Sequence, residues 1–422
     1  MNKMVSINAD RLWDRLHKIG AIGADPRGGI SRFAWEPAYK QAVELLCAWA
    51  REEGLTVRID TVGNVFARLE GTDPDAAAVL SGSHLDTVPQ GGYFDGLAGV
   101  MGALEALSSI RAGAYRPRRP LEMVAFINEE ASQFLGGTFG SKAMCGMLPD
   151  DYARTLRHRQ TGQLLCDAMR EFGMGTDPDR IADSKIDPSR YAAFVEMHIE
   201  QGRYLLDEGL PLAVVSAVAG IKQFYITIHG VQAHAGGMAM KDRHDAMAAA
   251  AAVACEVERL ARDGGVDSRG TVGYIEAHPG EHNIIADRCV VPVDFRASDT
   301  QHWTALYDDL MAFTRAQCEK RGLTWSVHST CDLAPAPSSP RLMQMMEAAA
   351  GALNIPHRQM VSFPAHDSMN MSRLMPMGMI FLRSSNEGVS HCPEEFTTKE
   401  DLAAGVQVLA NTLLQAADSE TL

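Results

Sequence analysis

What this 422-residue sequence lacks narrows the field first. No stretch approaches the roughly 18–20 consecutive apolar residues that cross a bilayer, so no membrane partner is expected. The N-terminus, MNKMVSINADRLWDRL, lacks the apolar core and small-residue cleavage site of a signal peptide. It reads instead as an amphipathic helix capped near Asn8 or Asp10. None of the eight cysteines stands in a C-x-x-C pair, which argues against a disulfide framework or a zinc knuckle. Free thiols in a reducing, cytoplasmic setting are the simpler expectation. Basic charge is also short: 39 Lys and Arg against 53 Asp and Glu leave a formal net charge of −14. Nucleic-acid backbones are held by clustered Lys and Arg, so no nucleic-acid partner is expected. The run Arg116-Pro117-Arg118-Arg119 reads as solvated surface. The rest is ordinary for a globular chain, 46% hydrophobic and 22% charged, and the length predicts two domains.

The first half alternates helical and strand patterns. Residues 36–54 have helical spacing and end at Gly54. LTVRIDTVGNVFARLEG alternates as a hairpin turning at Gly63-Asn64. Apolar runs at 76–82, 121–127 and 191–199 read as buried strands, with a helix over 96–112 among the intervening segments. This order predicts an α/β layer with a largely parallel sheet. Near Gly220 the pattern changes. FYITIHGV, a long helix from MAMKDRHD to ARDGG, TVGYIEAH, CVVPVDFRA, a helix HWTALYDDLMAFTRAQCEKRG and LTWSVHST run β-α-β-β-α-β, the order of a ferredoxin-like unit. MGMIFL and a C-terminal helix then resume the first layer. The expected architecture is a discontinuous α/β domain, residues 1–218 and 330–422, with a ferredoxin-like α+β domain inserted over 219–329.

Chemistry-bearing residues follow each buried strand. AAAVLSG runs into Ser83-His84-Leu85-Asp86, LEMVAFI into Asn128-Glu129-Glu130, YAAFVEM into His198-Ile199-Glu200-Gln201, and MGMIFL, after a short loop, leads to His391. In open α/β sheets that carboxyl edge binds ligands, and four such coincidences outweigh one. Imidazole with carboxylate suits Zn, Mn, Co or Ni. His84, His198 and His391 with Asp95 and Glu130 suffice for two divalent ions if one carboxylate bridges. Asp95, in the glycine-rich GGYFDGLAG, is the best bridge. Asp86 could take the other ring N–H of His84 and fix its tautomer. Glu129, beside Glu130, is then free to take a proton from an attacking water. Adjacent glutamates can also be a solvated helix start, but their place beyond a buried strand favours the site.

The segments GSHLDTVPQGGYFDGLAGV, INEEASQFLGGTFGSKAMCG, EMHIEQG, GVQAHAG and SHCPEEFT resemble the amidase branch of the M20 metallopeptidase family. That branch holds N-carbamoyl-L-amino-acid hydrolases, allantoate amidohydrolases and β-ureidopropionases. The resemblance runs from about residue 28 to the C-terminal helix. It implies that His84, Asp95 and His198 hold one ion, and Asp95, Glu130 and His391 the other. It also implies that Glu129 is the general base and that Asp86 orients His84. It maps substrate contacts to Gln201, His234, Asn283, Arg296 and His366, with His234 also meeting the developing oxyanion. It implies that the inserted domain is a lid and the surface of a homodimer. The substrate class it implies is a small amide or ureide with a carboxylate, which Arg296 could clamp bidentately. Each of these residues has a plainer reading. Arg296 could pair with Asp294 or Asp299, Asn283 could cap a turn, and His234 could be a satisfied loop histidine.

Rival functions are a dipeptidase or acylamino-acid deacylase of the wider family, and a binding protein on the same fold without turnover. The HIEQG motif and the extended EEASQF segment favour the amidase branch, and intact Glu129 argues against loss of turnover. The chain departs from the branch at Ser362-Phe363-Pro364-Ala365-His366-Asp367, where a glycine-rich S-G-A-G-H-D is usual. Proline removes a donor, and phenylalanine adds apolar bulk. The departure predicts faster turnover of a bulky or apolar amide than of a small N-carbamoyl amino acid. A kinetic panel checks this, and best turnover on the small substrate would contradict it.

Overall fold

A computed structural model describes residues 4–113 and 115–422. The chain divides into two compact units. The larger takes the residues up to Ser216, then Ser338–Met360 and His366–Leu422; the smaller takes Ala217–Pro337 and Val361–Ala365. The strands, in chain order, are β1 Thr56–Ile59, β2 Val65–Leu69, β3 Ala78–His84, β4 Leu121–Phe126, β5 Tyr191–Ile199, β6 Leu212–Val218, β7 Gly220–His229 and β8 Ala233–His234. They continue as β9 Ser268–Thr271, β10 Glu276–His278, β11 Ile284–Ile285, β12 Arg288–Ala297, β13 Thr324–Leu333, β14 Ala336–Pro337, β15 His357–Ser362 and β16 Met377–Leu382. Among the described residues no helix is long and apolar enough to cross a membrane.

The larger sheet runs β1-β2-β4-β3-β5-β16-β6-β14, with β15 also on β6. Its middle strands β4, β3, β5 and β16 are parallel, and the strands flanking them pair antiparallel. The middle strands read as unbroken apolar runs because both their faces are covered. Val79, Met123, Ala125 and Val195 face one core, shared with helices Leu97–Ala112 and Lys399–Asp418. Leu80, Val124, Phe126 and Phe194 face a second, with Met144, Met371 and Met375. The hairpin β1–β2 turns where expected: the Asp60 carboxylate accepts the N–H groups of Val62, Gly63 and Asn64 at 2.9–3.1 Å. The first helix, Ala9–Gly20, is capped by Asn8, whose side chain accepts from Arg11 N.

In the smaller unit the sheet order is β10-β12-β7-β13, with β9 also on β12, and every pairing is antiparallel. Phe224, Ile226 and Ile228 of β7 and Val291, Val293 and Phe295 of β12 alternate into a core with helices Ala246–Asp263 and Thr300–Arg321. The first of these helices starts later than the apolar pattern suggests. Asp245 accepts from Met247 N and Ala248 N and so sets its N-cap. The expected strand TVGYIEAH is split into β9 and β10 by residues 272–275.

Gly82 in β3 lies close against β4: a Cβ there would lie 1.8 Å from the Val124 carbonyl oxygen. Gly82→Ala must part β3 from β4. The expected loss is at least the roughly 1–3 kcal/mol of an overpacked core, read from the denaturation midpoint. An unshifted midpoint would count against this register.

Candidate metal centre

Since β4, β3, β5 and β16 are parallel, their carboxyl ends share one edge. His84 closes β3, and His198 lies one residue before the end of β5. Asp95 stands in the turn into helix Leu97–Ala112, Glu129 and Glu130 follow β4, and His391 lies in the loop after β16. Asn128, Ala131, Gln201 and His391 adopt φ of 53–59°. Left-handed backbone at such residues costs roughly 1–2 kcal/mol each and gathers where a site demands it.

Ligand atoms of His84, Asp95 and His198 lie within 4.8 Å of one another, as do those of Asp95, Glu130 and His391, so Asp95 belongs to both groups. A third group with the same reach joins His84, Glu129 and Glu130. Asp95 Oδ1 is 3.0 Å from His198 Nε2 and 3.9 Å from His84 Nε2. Asp95 Oδ2 is 3.0 Å from His391 Nε2, which is 3.5 Å from Glu130 Oε1.

The proton positions decide what this cluster can hold. Nδ1 of His84 faces the Asp86 carbonyl at 3.0 Å, and Nδ1 of His198 faces the Ile199 carbonyl at 2.9 Å. A carbonyl only accepts, so each Nδ1 carries the hydrogen and each neutral ring turns a lone pair toward Asp95. Asp95 Oδ1 and Glu130 Oε1 are buried with no hydrogen-bond partner among the described residues. Lone pairs facing one another in a buried site call for a cation between them. Imidazole and carboxylate donors fit a divalent transition ion there. Without one, a proton fills the gap. Burial alone would lower the His198 imidazole, but its hydrogen bond to Asp95 and that carboxylate's charge push it up to about 9. Burial, then the charges of Asp367, Asp86, Asp95 and Glu196, push the Glu129 carboxyl well above the usual carboxylate range.

Asp86 differs from expectation. Its backbone carbonyl, not its carboxylate, takes the His84 ring hydrogen, and the carboxylate stands 3.9 Å from Nδ1. The two carboxylate oxygens accept Glu129 N and Glu130 N, each at 3.1 Å. Asp86 therefore fixes the pair of glutamates. That pair is no helix start, since residues 128–131 are non-helical.

Gln201 lies inside the cluster, its amide nitrogen 3.1 Å from Asp95 Oδ2 and 3.3 Å from His391 Nε2. His366 is 2% exposed, its ring 4.5 Å from the His198 ring and 5.8 Å from Phe381, so it packs between those two rings. The remaining expected contacts belong to the smaller unit. His234 Nδ1 accepts from Gly236 N and Gly237 N, which leaves the ring hydrogen on Nε2. Asn283 is beside it, its carbonyl accepting Ala235 N where β8 pairs with β11. Arg296 forks onto Asp294 at 3.0 and 3.2 Å, the plainer of its two readings, and donates to the Phe363 carbonyl at 2.7 Å. Arg269, opposite Arg296 in the β12–β9 pair, lies 3.9 Å from the Phe363 ring centroid. The departing Phe363 is thus held by two arginines. Sequence reasoning also missed Glu395, which accepts Phe94 N and Asp95 N; its one signal was a second acidic residue close behind His391 in SHCPEEFT.

Residues 80–415 match the family described as Peptidase family M20/M25/M40. The chain is 38% identical to an N-carbamoyl-L-amino acid amidohydrolase of Geobacillus stearothermophilus, over 98% of this chain and 100% of that one. It is 34% identical to a ureidoglycolate hydrolase of Oryza sativa, over 96% of this chain and 84% of that one. A solved amidase of the hydantoinase/carbamoylase family from Burkholderia multivorans superposes with a TM-score of 0.88 at 32% identity, covering 98% of this chain and 99% of that one.

Two outcomes follow from the geometry. Gly96 has φ +62°, and a Cβ there would sit 2.4 Å from His84 Cε1 and Nε2. Gly96→Ala should displace that ring and lower bound metal, measured by elemental analysis after dialysis; unchanged metal content would contradict it. Metal must displace the His198 proton, so apparent affinity should fall as pH drops below about 9, with proton release on binding at pH 7. Calorimetry in buffers of different ionisation enthalpy reads this directly, and a pH-independent affinity would refute it.

Proposed function

The chain belongs to peptidase family M20/M25/M40, whose enzymes are metal-dependent, and from that premise we propose that it is an amidohydrolase cleaving a linear amide or ureide C–N bond beside a carboxylate. An N-carbamoyl-L-amino acid is the substrate class favoured by full-length similarity to the Geobacillus stearothermophilus enzyme. The observation carrying the chemistry is the buried Asp95 Oδ1, 3.0 Å from His198 Nε2, on a ring whose Nδ1 hydrogen is committed to the Ile199 carbonyl.

In this reading His84, Asp95 and His198 hold one divalent ion, and Asp95, Glu130 and His391 a second, with Zn, Mn, Co or Ni all suited. Bound ions would supply Lewis acidity and make water a nucleophile near neutral pH. Glu129 takes the water's proton and returns it to the leaving nitrogen. Asp86 keeps the Glu129 and Glu130 backbones in register. Gln201 orients Asp95 through its amide. His234, with its hydrogen on Nε2, is a neutral donor suited to the developing oxyanion, and Asn283 lies next to it. Arg296 exchanges Asp294 for the substrate carboxylate. The smaller unit serves as a closing lid and as the surface of a homodimer.

A second reading, a ureidoglycolate or related ureide hydrolase, draws on the Oryza sativa relative. Both substrates carry a ureido nitrogen on the carbon next to a carboxylate, so one site chemistry serves either. Assay of the Mn²⁺-reconstituted protein on N-carbamoyl amino acids, ureidoglycolate, allantoate and dipeptides separates them. Glu129→Gln should cut kcat by roughly 10²–10⁴-fold with metal content unchanged. Full activity in that variant, or in chelator-stripped protein, would overturn the mechanism.

A further inference from the structure

Glu395 is 4% exposed, and no Lys or Arg pairs with it among the described residues. Its Oε1 accepts Asp95 N at 2.9 Å and Phe94 N at 3.0 Å. Its Oε2 accepts the Ser390 hydroxyl at 2.7 Å. Ser390 Oγ in turn accepts from Gln201 Nε2 at 3.3 Å, and the same amide nitrogen donates to Asp95 Oδ2 at 3.1 Å. The contacts close a ring: Asp95 backbone, Glu395, Ser390, Gln201, Asp95 carboxylate. His391 follows Ser390 directly, so the ring ties the shared carboxylate to the last histidine. The loop bearing that histidine is closed on itself by Ser385 N to Phe396 O at 2.7 Å and Asn386 Nδ2 to Glu394 O at 2.7 Å.

We propose that Glu395 is a positioning residue that sets the spacing of the two ions by locking Asp95 to the His391 loop. This rests on the two-ion reading of the site. The donor directions explain why the residue is a glutamate. Ser390 has a single hydroxyl hydrogen and already accepts from Gln201, so that hydrogen needs an acceptor at Oε2. A glutamine whose oxygen kept the two backbone N–H groups would turn its NH₂ toward Ser390 and leave the hydroxyl hydrogen without an acceptor. A buried carboxylate without a counter-cation is costly in a protein interior. Beside two dications its charge is balanced.

The test is Mn²⁺ binding by full-length wild type, Glu395→Gln and Ser390→Ala, followed by calorimetry and by metal analysis after equilibrium dialysis. Thermal melts in chelator verify that each variant folds. Both variants should keep the wild-type affinity for one ion and bind the other about 10- to 100-fold more weakly, as when partners behind metal ligands are removed. A merely structural role would lower the melting temperature without splitting the two affinities. Ser390→Ala removes only one hydroxyl and gives a reading even where Glu395→Gln fails to fold. Two ions bound at wild-type affinity by Ser390→Ala would overturn the proposal. Wild type that binds fewer than two ions would instead overturn the two-ion reading beneath it.

Discussion

A buried carboxylate oxygen and an imidazole lone pair, 3.0 Å apart at Asp95 and His198, are the constraint around which the larger unit is arranged. Neither neutral nitrogen nor ionised oxygen offers a hydrogen, and both residues are buried. A cation resolves the conflict; failing that, a proton does, which is why His198 holds its proton so tightly. The surrounding structure keeps the conflict in place. Four parallel strands bring their carboxyl ends to one edge, and covered faces on both sides stop them from relaxing. Left-handed backbone at Asn128, Gln201 and His391 aims the loop residues inward.

The candidate ligands are legible in the sequence because His84, Glu130 and His198 stand at the ends of buried apolar runs, His391 follows another after a loop, and Asp95 is marked by its glycine-rich turn. The order of the smaller unit is legible for a related reason: its strands alternate and its helices do not. What escapes the sequence depends on hydrogen-bond direction. Asp86 stands two residues from His84, the spacing of an aspartate that holds a histidine ring. Its backbone carbonyl does that task, freeing both carboxylate oxygens for the amides of Glu129 and Glu130. Glu395 is far from Asp95 in the chain, so nothing local marks it as that residue's anchor. The later start of helix Ala246–Asp263 has a local cause, the Asp245 cap, which the apolar pattern alone overrides.

The smaller unit carries a different chemistry. His234 is set as a neutral donor by two backbone N–H groups, and Arg296 is neutralised by Asp294. Phe363 and Pro364 replace the flexible segment usual in the branch that the chain resembles. Phe363 is pinned through its carbonyl by Arg296 and through its ring by Arg269. The departure is therefore a built contact within the unit.

Anomalous diffraction from crystals soaked in Mn²⁺ reads the cluster itself. Two peaks are expected, one among His84, Asp95 and His198 and one among Asp95, Glu130 and His391. A cluster that stays empty of metal in fully active protein would contradict that expectation.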